Sequence, residues 1–188
     1  MIGRLRGVLV STREAGIVID VSGVGYEAAM TTRDLVALPG IGEEIVVHTH
    51  TYVREDDISL YGFATESDRE LFRVLLTASG VGPKVAMALL ASLTADEIVR
   101  AIVGEDPDAL TIAPGVGKRG AQKLVLELGP KLAGRETEVV GGRSLGGVRQ
   151  ALEGLGYSTA EINAVVKDLD PEDPIEEQVK TALQRLAR

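Results

Sequence analysis

LLTASGVGPKVAMALLASL at residues 75–93 and LTIAPGVGKRGAQKLVLEL at residues 110–128 are two copies of one pattern. At an offset of 35 residues eight positions are identical, among them Gly80/Gly115, Val81/Val116, Gly82/Gly117, Leu89/Leu124 and Leu93/Leu128. Self-similarity at a fixed offset marks one supersecondary unit used twice. Each copy reads as an apolar helix, a Gly-Val-Gly turn and a second helix that opens with Lys or Arg. Glycines let the chain turn tightly and approach a ligand with no Cβ in the way. The helix after the turn begins with N–H groups that lack intrahelical acceptors, and its dipole adds partial positive charge there. Lys84 follows the first turn, Lys118 and Arg119 follow the second, and Lys123 lies one helical turn beyond. Amides plus a cation suit a phosphate oxygen and read no base edge. Two such turns can hold two phosphates of one backbone, so sequence-independent and steeply salt-dependent binding is expected. One Gly-Val-Gly alone is as readily a plain connector between packed helices. Two copies, both flanked by cations, weigh against that reading.

The charge balance tests this expectation. With 20 basic and 28 acidic side chains the net charge is −8, the opposite of what a nucleic-acid binder usually carries. Phosphates, however, are gripped within about one Debye length, roughly 8–10 Å. No Asp or Glu occurs from Leu71 to Ala95, where Arg73 and Lys84 stand. None occurs from Ala109 to Leu126 either, where Lys118, Arg119 and Lys123 stand. Both copies of the repeat are therefore locally cationic.

Outward from the repeat the pattern changes on both sides. Residues 1–63 read as β, with segments such as Gly16–Val21, Tyr26–Met30 and Glu44–Val53 set between Gly- and Pro-bearing turns. Five or six short strands in about 60 residues predict a small closed barrel. Thr94 before Asp96 and Glu97, and Asp106 before Pro107, read as helix starts. Gly134–Gly147, GRETEVVGGRSLGG, reads as a flexible linker, with residues 135–144 as its body. Beyond it, amphipathic segments near Leu145–Leu155, Thr159–Leu169 and Pro174–Leu186 predict a three-helix domain over residues 145–188. The fold class is thus α+β and multi-domain: a barrel over 1–63, a tandem helical hairpin over 64–134, a linker and a helical domain.

Several chemistries are not supported by the sequence. There is no cysteine, so there is neither a disulfide framework nor a thiolate metal site. Gly117-Lys118 lacks both a glycine five residues earlier, where Ile112 stands, and a Ser or Thr after the lysine, where Arg119 stands; no ATP loop is expected. His48 and His50 share one strand face with no third ligand suggested nearby, so neither a metal nor a cofactor is expected. No nucleophile–His–acid set is readable. The N-terminus MIGRLRGVLV has no apolar run long enough for a signal peptide, and no stretch approaches the roughly 18 apolar residues of a membrane span. A cytoplasmic protein is expected.

The repeat resembles the helix-hairpin-helix motif of DNA repair proteins. Together with MIGRLRG at the N-terminus, GVGYE at 23–27, VRED at 53–56, LYGF at 60–63 and LF at 71–72, it resembles the RuvA family of Holliday-junction-recognition subunits over nearly the whole chain. The resemblance implies an OB-fold for residues 1–63 and a C-terminal domain that docks on the ATPase RuvB. It also implies a homotetramer, with two tetramers able to sandwich a four-way junction in a bacterial pathway shared with the resolvase RuvC. On this reading the chain is not an enzyme. Its phosphate contacts are expected at Gly80, Gly82, Lys84, Gly115, Gly117, Lys118, Arg119 and Lys123. The resemblance adds Arg54 as a DNA contact and Glu55 and Asp56 as an acidic pin at the crossover. A ring of carboxylates there would repel phosphates and disfavour continuous duplex, although an acidic turn read by itself is more simply a solvated one. Leu152, Leu155, Gly156, Tyr157, Ile162, Val166 and Leu183 are expected to divide between packing and docking on the motor.

Two other readings remain open at this level. Glu55, Asp56 and Asp57 could serve a structure-selective nuclease with Mg²⁺, which would need carboxylates converging from several elements. The hairpins could equally make a general duplex-binding module with no preference for junctions.

Overall fold

A computed structural model of the chain describes residues 1–133, 148, 151–152, 154–157, 159–166, 169 and 175–186. The expected linker at 135–144 lies outside these residues. The chain forms two compact units, Met1–Lys131 and Leu132–Arg188.

In the first unit, β1 (Arg4–Arg13), β2 (Gly16–Val21), β3 (Val24–Ala29), β4 (Glu44–Val53) and β5 (Ile58–Phe63) close a barrel in the order β1-β2-β3-β5-β4. Side chains alternate along each strand, so every second residue points inward. On β4, Ile45, Val47 and Thr49 are buried, while Glu44 and Val46 between them face out. With Leu5, Leu9, Ile17, Ile19, Ala28 and Leu60, Ile45 and Val47 fill the barrel. All neighbouring strands are antiparallel except β3 and β5, which run parallel and pair at Ala29 and Tyr61. Strand β3 begins at Val24, two residues before the expected Tyr26. The reason is a two-residue turn: Ser22 and Gly23 both have positive φ (55° and 87°), which matches the twist of a tight hairpin and lets Val21 pair with Val24.

Reading residues 1–63 as β throughout is corrected at one place. Helix α1 (Thr32–Val36) lies between β3 and β4, started by Thr31, whose hydroxyl accepts from the Asp34 N–H at 3.1 Å. At five residues it is too short to show a helical period.

Five helices follow: α2 (Glu66–Leu75), α3 (Pro83–Ser92), α4 (Ala95–Val103), α5 (Pro107–Leu110) and α6 (Lys118–Leu132), whose last residue is the first of the second unit. Both expected starts are present. Thr94 and Glu97 form a reciprocal capping box on α4, and Asp106 caps α5 with Pro107 at its first position. Phe72 of α2 fastens the helices to the barrel. It is fully buried, with ring centroids 4.9 Å from Phe63, 5.2 Å from Tyr61 and 5.5 Å from His50. That burial contributes about 2–3 kcal/mol. Arg69 adds a hydrogen bond to the Gly3 carbonyl at 2.8 Å.

The second unit contains α7 (Thr159–Val166) and α8 (Ile175–Leu186). Val148, Ala151, Leu152 and Gly154, within the first expected helical segment, are also helical. Val148, Leu152, Ile162, Val165, Val166, Leu169 and Ala182 make its core. Gly156 turns the chain with φ 91°.

Candidate nucleic-acid interface

The two copies of the repeat adopt one backbone. Residues 76–83 and 111–118 run through the same succession of turns into a helix start. In each, the valine between the glycines donates its N–H to an alanine carbonyl three residues back, Val81 to Ala78 and Val116 to Ala113, both at 3.1 Å. The two glycines of each turn differ in role. Gly80 (φ 83°) and Gly115 (φ 87°) occupy the left-handed region that L side chains resist. Gly82 is extended (φ −96°, ψ 177°) and starts α3, its carbonyl accepting from Val85 and Ala86 at 3.1 Å. Gly117 likewise accepts from Ala121 at 2.9 Å. A Cβ added at Gly82 or Gly117 would meet nothing within 4 Å, so what these residues leave open is approach from outside.

Capping separates these two helix starts from the other four in the first unit. Helices α1, α2, α4 and α5 each have a side-chain oxygen on an early N–H, from Thr31, Thr65, Thr94 and Asp106. Helix α3 has no side-chain cap, and Gly117 has no side chain with which to cap α6. Uncapped donors at a helix N-terminus are groups an anion can satisfy. The cations beside them are exposed. Lys84 and Arg119 make no ion pair among the described residues. Lys118 lies 3.9 Å from Asp108, with both side chains about four-fifths exposed, and Lys123 lies 3.7 Å from Glu127. Exposed pairs of this kind are worth about 0–1 kcal/mol and exchange readily for a phosphate.

Four residues that the sequence reading did not single out fix the turns relative to each other. Glu127 of α6 accepts the Ser79 N–H at 2.7 Å, and Lys131 donates to the Thr77 hydroxyl at 2.8 Å. The bond from Ser79 is the main cause that holds the Glu127 carboxyl below the usual glutamate range. Glu127 is nine residues beyond the start of α6, about 14 Å at 1.5 Å per residue. The first turn is thereby pinned beside α6, roughly that far along it from the second turn. Partners 48 residues apart leave no periodic trace, so no sequence signal points to this contact.

The acidic turn joins β4 to β5. Arg54 N–H donates to the Asp57 carbonyl at 2.8 Å and closes it, and Glu55, Asp56 and Asp57 are all exposed. The Ser59 hydroxyl donates to the Asp57 carboxylate. Glu55 and Asp56 have no hydrogen bond or ion pair among the described residues. All three acids come from one turn, and among the described residues no group of three or more metal-ligating side chains converges. His48 and His50 lie on β4, where His50 packs on Phe72; burial there, with Arg73 and Arg69 nearby, pushes its pKa down.

In the second unit the residues expected to divide between packing and docking do differ in exposure. Leu152, Ile162 and Val166 are buried in the core, with Tyr157 and Leu183 half-buried against it. Leu155 is 60% exposed and Gly156 is exposed beside it. Among the described residues no helix is long and apolar enough to cross a membrane.

Comparison with known proteins matches each region. The family model of the RuvA N terminal domain matches residues 1–62. That of the SAM-like helix-hairpin-helix tandem matches residues 72–131, and that of the RuvA C-terminal domain matches residues 146–187. A Rubrobacter xylanophilus protein named Holliday junction branch migration complex subunit RuvA is 43% identical over 192 residues, covering 99% of this chain and 98% of its own. A protein of the same name from Methylibium petroleiphilum is 41% identical, and the alignment covers 100% of both chains. One from Pseudomonas putida is 49% identical over 137 residues, 73% of this chain and 67% of its own.

Proposed function

This chain belongs to the RuvA family, and from that premise we propose that it grips four-way DNA junctions by their phosphates, independently of sequence, while the partner ATPase RuvB drives branch migration. The observation that carries this reading is the pair of uncapped, cation-flanked helix starts after Gly82 and Gly117. Gly80 and Gly115 shape the turns. The backbone N–H groups that follow, with Lys84, Lys118, Arg119 and Lys123, hold phosphate oxygens. Arg54 touches DNA beside the crossover, and Glu55 and Asp56 repel phosphates there.

The chain itself is non-catalytic and works without metal or cofactor. We divide it into a barrel at 1–63, the tandem hairpins at 64–134, a linker at 135–144 and a motor-docking domain at 145–188. Leu155, with Gly156 and Tyr157 beside it, is the docking candidate best supported by exposure, while Leu152, Ile162 and Val166 serve the core. The working form is a homotetramer, paired as an octamer on DNA in the bacterial cytoplasm, upstream of the resolvase RuvC.

A gel-shift titration against a four-way junction and a linear duplex of equal length, with and without Mg²⁺, tests this function. The expected result is strong junction preference, lost when Lys84 and Lys118 are both changed to Ala, with no cleaved product. Equal binding to both DNAs would leave the hairpins as general duplex grips. Cleavage that disappears in Asp56→Asn would instead favour the nuclease.

A further inference from the structure

Aromatic residues are scarce here, with four Tyr and two Phe in 188 residues. Four of the six form one row. Phe63 contacts Phe72 (4.9 Å between centroids), Phe72 contacts Tyr61 (5.2 Å), and Tyr61 contacts Tyr52 (6.4 Å, edge to face). The row ends at Arg54, whose guanidinium carbon lies 5.2 Å from the centre of the Tyr52 ring. It therefore runs from the buried seam between barrel and helices out to the acidic turn, ending on an exposed cation over a half-buried ring.

The position of that cation is unexpected on electrostatic grounds. Arg54 precedes three carboxylates, yet it makes no ion pair with them among the described residues. Its guanidinium stands over the Tyr52 ring instead, and Tyr52 is the main cause that raises the guanidinium pKa. A guanidinium within about 6 Å of an aromatic centroid is attracted to the ring face and oriented by it. Arg54 is thus placed over the Tyr52 ring rather than in an ion pair with Glu55 or Asp56. The surroundings also select its ligand. One positive and three negative charges stand at positions 54–57, so a phosphate arriving here meets net repulsion. A nucleobase is uncharged, and its π-face is attracted to a guanidinium plane.

We propose that Arg54, positioned by Tyr52, is a stacking shelf for a base left unpaired at the branch point of the junction. The proposal rests on the junction reading above and sharpens one part of it: the DNA contact of Arg54 is to a base face. Its place on the acidic turn gives the arrangement a purpose. The carboxylates turn the backbones away, and the shelf receives the base released when a pair opens at the crossover. Tyr52 is the positioning residue, and Tyr61 backs it.

The test measures binding of the full chain to two junctions, one intact and one with an abasic nucleotide at the branch point of each strand. Wild type is expected to prefer the intact junction by roughly five- to a hundredfold, the range that one stacked base contributes. Arg54→Lys keeps the charge but loses the plane. It should reduce that preference towards one, with the larger loss of affinity on the intact junction. Tyr52→Leu should do the same, and Tyr52→Phe, which keeps the ring, should retain most of the preference. Equal wild-type affinity for the two junctions would overturn the shelf. So would an Arg54→Lys loss of the same size on both, which is the signature of a phosphate contact. Failure of wild type to bind either junction better than duplex would instead remove the junction reading, and the shelf with it.

Discussion

The two hairpins share a backbone and differ at the positions proposed to meet a phosphate. Residue 79 of the first copy corresponds to residue 114 of the second, and residue 83 to residue 118. In the first copy Ser79 has an N–H, and Glu127 occupies it; in the second, Pro114 has none to occupy. At the helix start, Pro83 gives α3 a fixed φ but no donor, while Lys118 gives α6 a donor and a charge. The first copy then offers one cation, Lys84, and the second offers Lys118 and Arg119 side by side. On the proposed function both backbones receive a phosphate, and the second, with the greater charge, should receive it more strongly. A repeat conserves the geometry that glycine makes possible and is free to vary the charge hung on it.

The most direct way to break this comparison is to remove the cations and read the salt dependence. Each phosphate contact released lowers the slope of log affinity against log salt by about one. Lys84→Ala should therefore lower the slope on a four-way junction by about one for each copy of the chain engaged. The double change Lys118→Ala with Arg119→Ala should lower it by about two. Since every copy contributes alike, the ratio of two to one holds whatever the assembly. The double change should also weaken binding more than tenfold at moderate salt. Equal slopes would mean that the second turn grips no more strongly than the first.

What the sequence made legible follows from distance along the chain. The repeat, the Gly-Val-Gly turns and the starts at Thr94 and Asp106 are local, since a helix start depends on residues three or four positions apart. The barrel was legible as spaced β-branched segments, but closure by pairing β1 with β4 joins residues such as Leu5 and Val47 that no local pattern links. Helix α1 was missed because five residues cannot show a period, although Thr31 with Asp34 three residues on is a capping pair visible in hindsight. The bond from Ser79 to Glu127, 48 residues apart, depends on three-dimensional proximity. In the C-terminal unit, Leu152 and Leu155 are both apolar and three residues apart. Burial alone distinguishes them, because one faces the core and the other does not.

A smaller effect tests the claim of a shared backbone. Gly80→Ala and Gly115→Ala each force an L residue to positive φ, costing roughly 1–2 kcal/mol, partly offset by a less flexible unfolded chain. A Cβ at either site meets nothing within 4 Å, so no clash adds to this. Thermal unfolding should show the two variants destabilised alike, by about 2–4 °C for a chain of this size. Gly82→Ala, in extended backbone, should cost less. Unequal losses at 80 and 115 would show that the two turns are not equivalent.

The smallest effect concerns a contact that the second copy does without. Glu127 has a folded pKa below its ordinary value because it accepts the Ser79 N–H. The stability from that bond is complete above the unfolded value, about 4.3, and is lost as pH falls through the lower folded value. Amide exchange at Ser79 should therefore be slow at neutral pH and accelerate, relative to its neighbours, only below about pH 4.3. In Glu127→Gln the side-chain carbonyl can still accept, more weakly than a carboxylate, so protection should be lower and independent of acid in that range. Ser79→Pro gives the first turn the residue that stands in the second. If Glu127 is there to satisfy Ser79, Glu127→Gln should be silent for stability in that background, because no N–H remains to be held. A loss as large as in the parent chain would mean that Glu127 acts through Lys123 instead, 3.7 Å away on its own helix, and that the first turn needs no such partner.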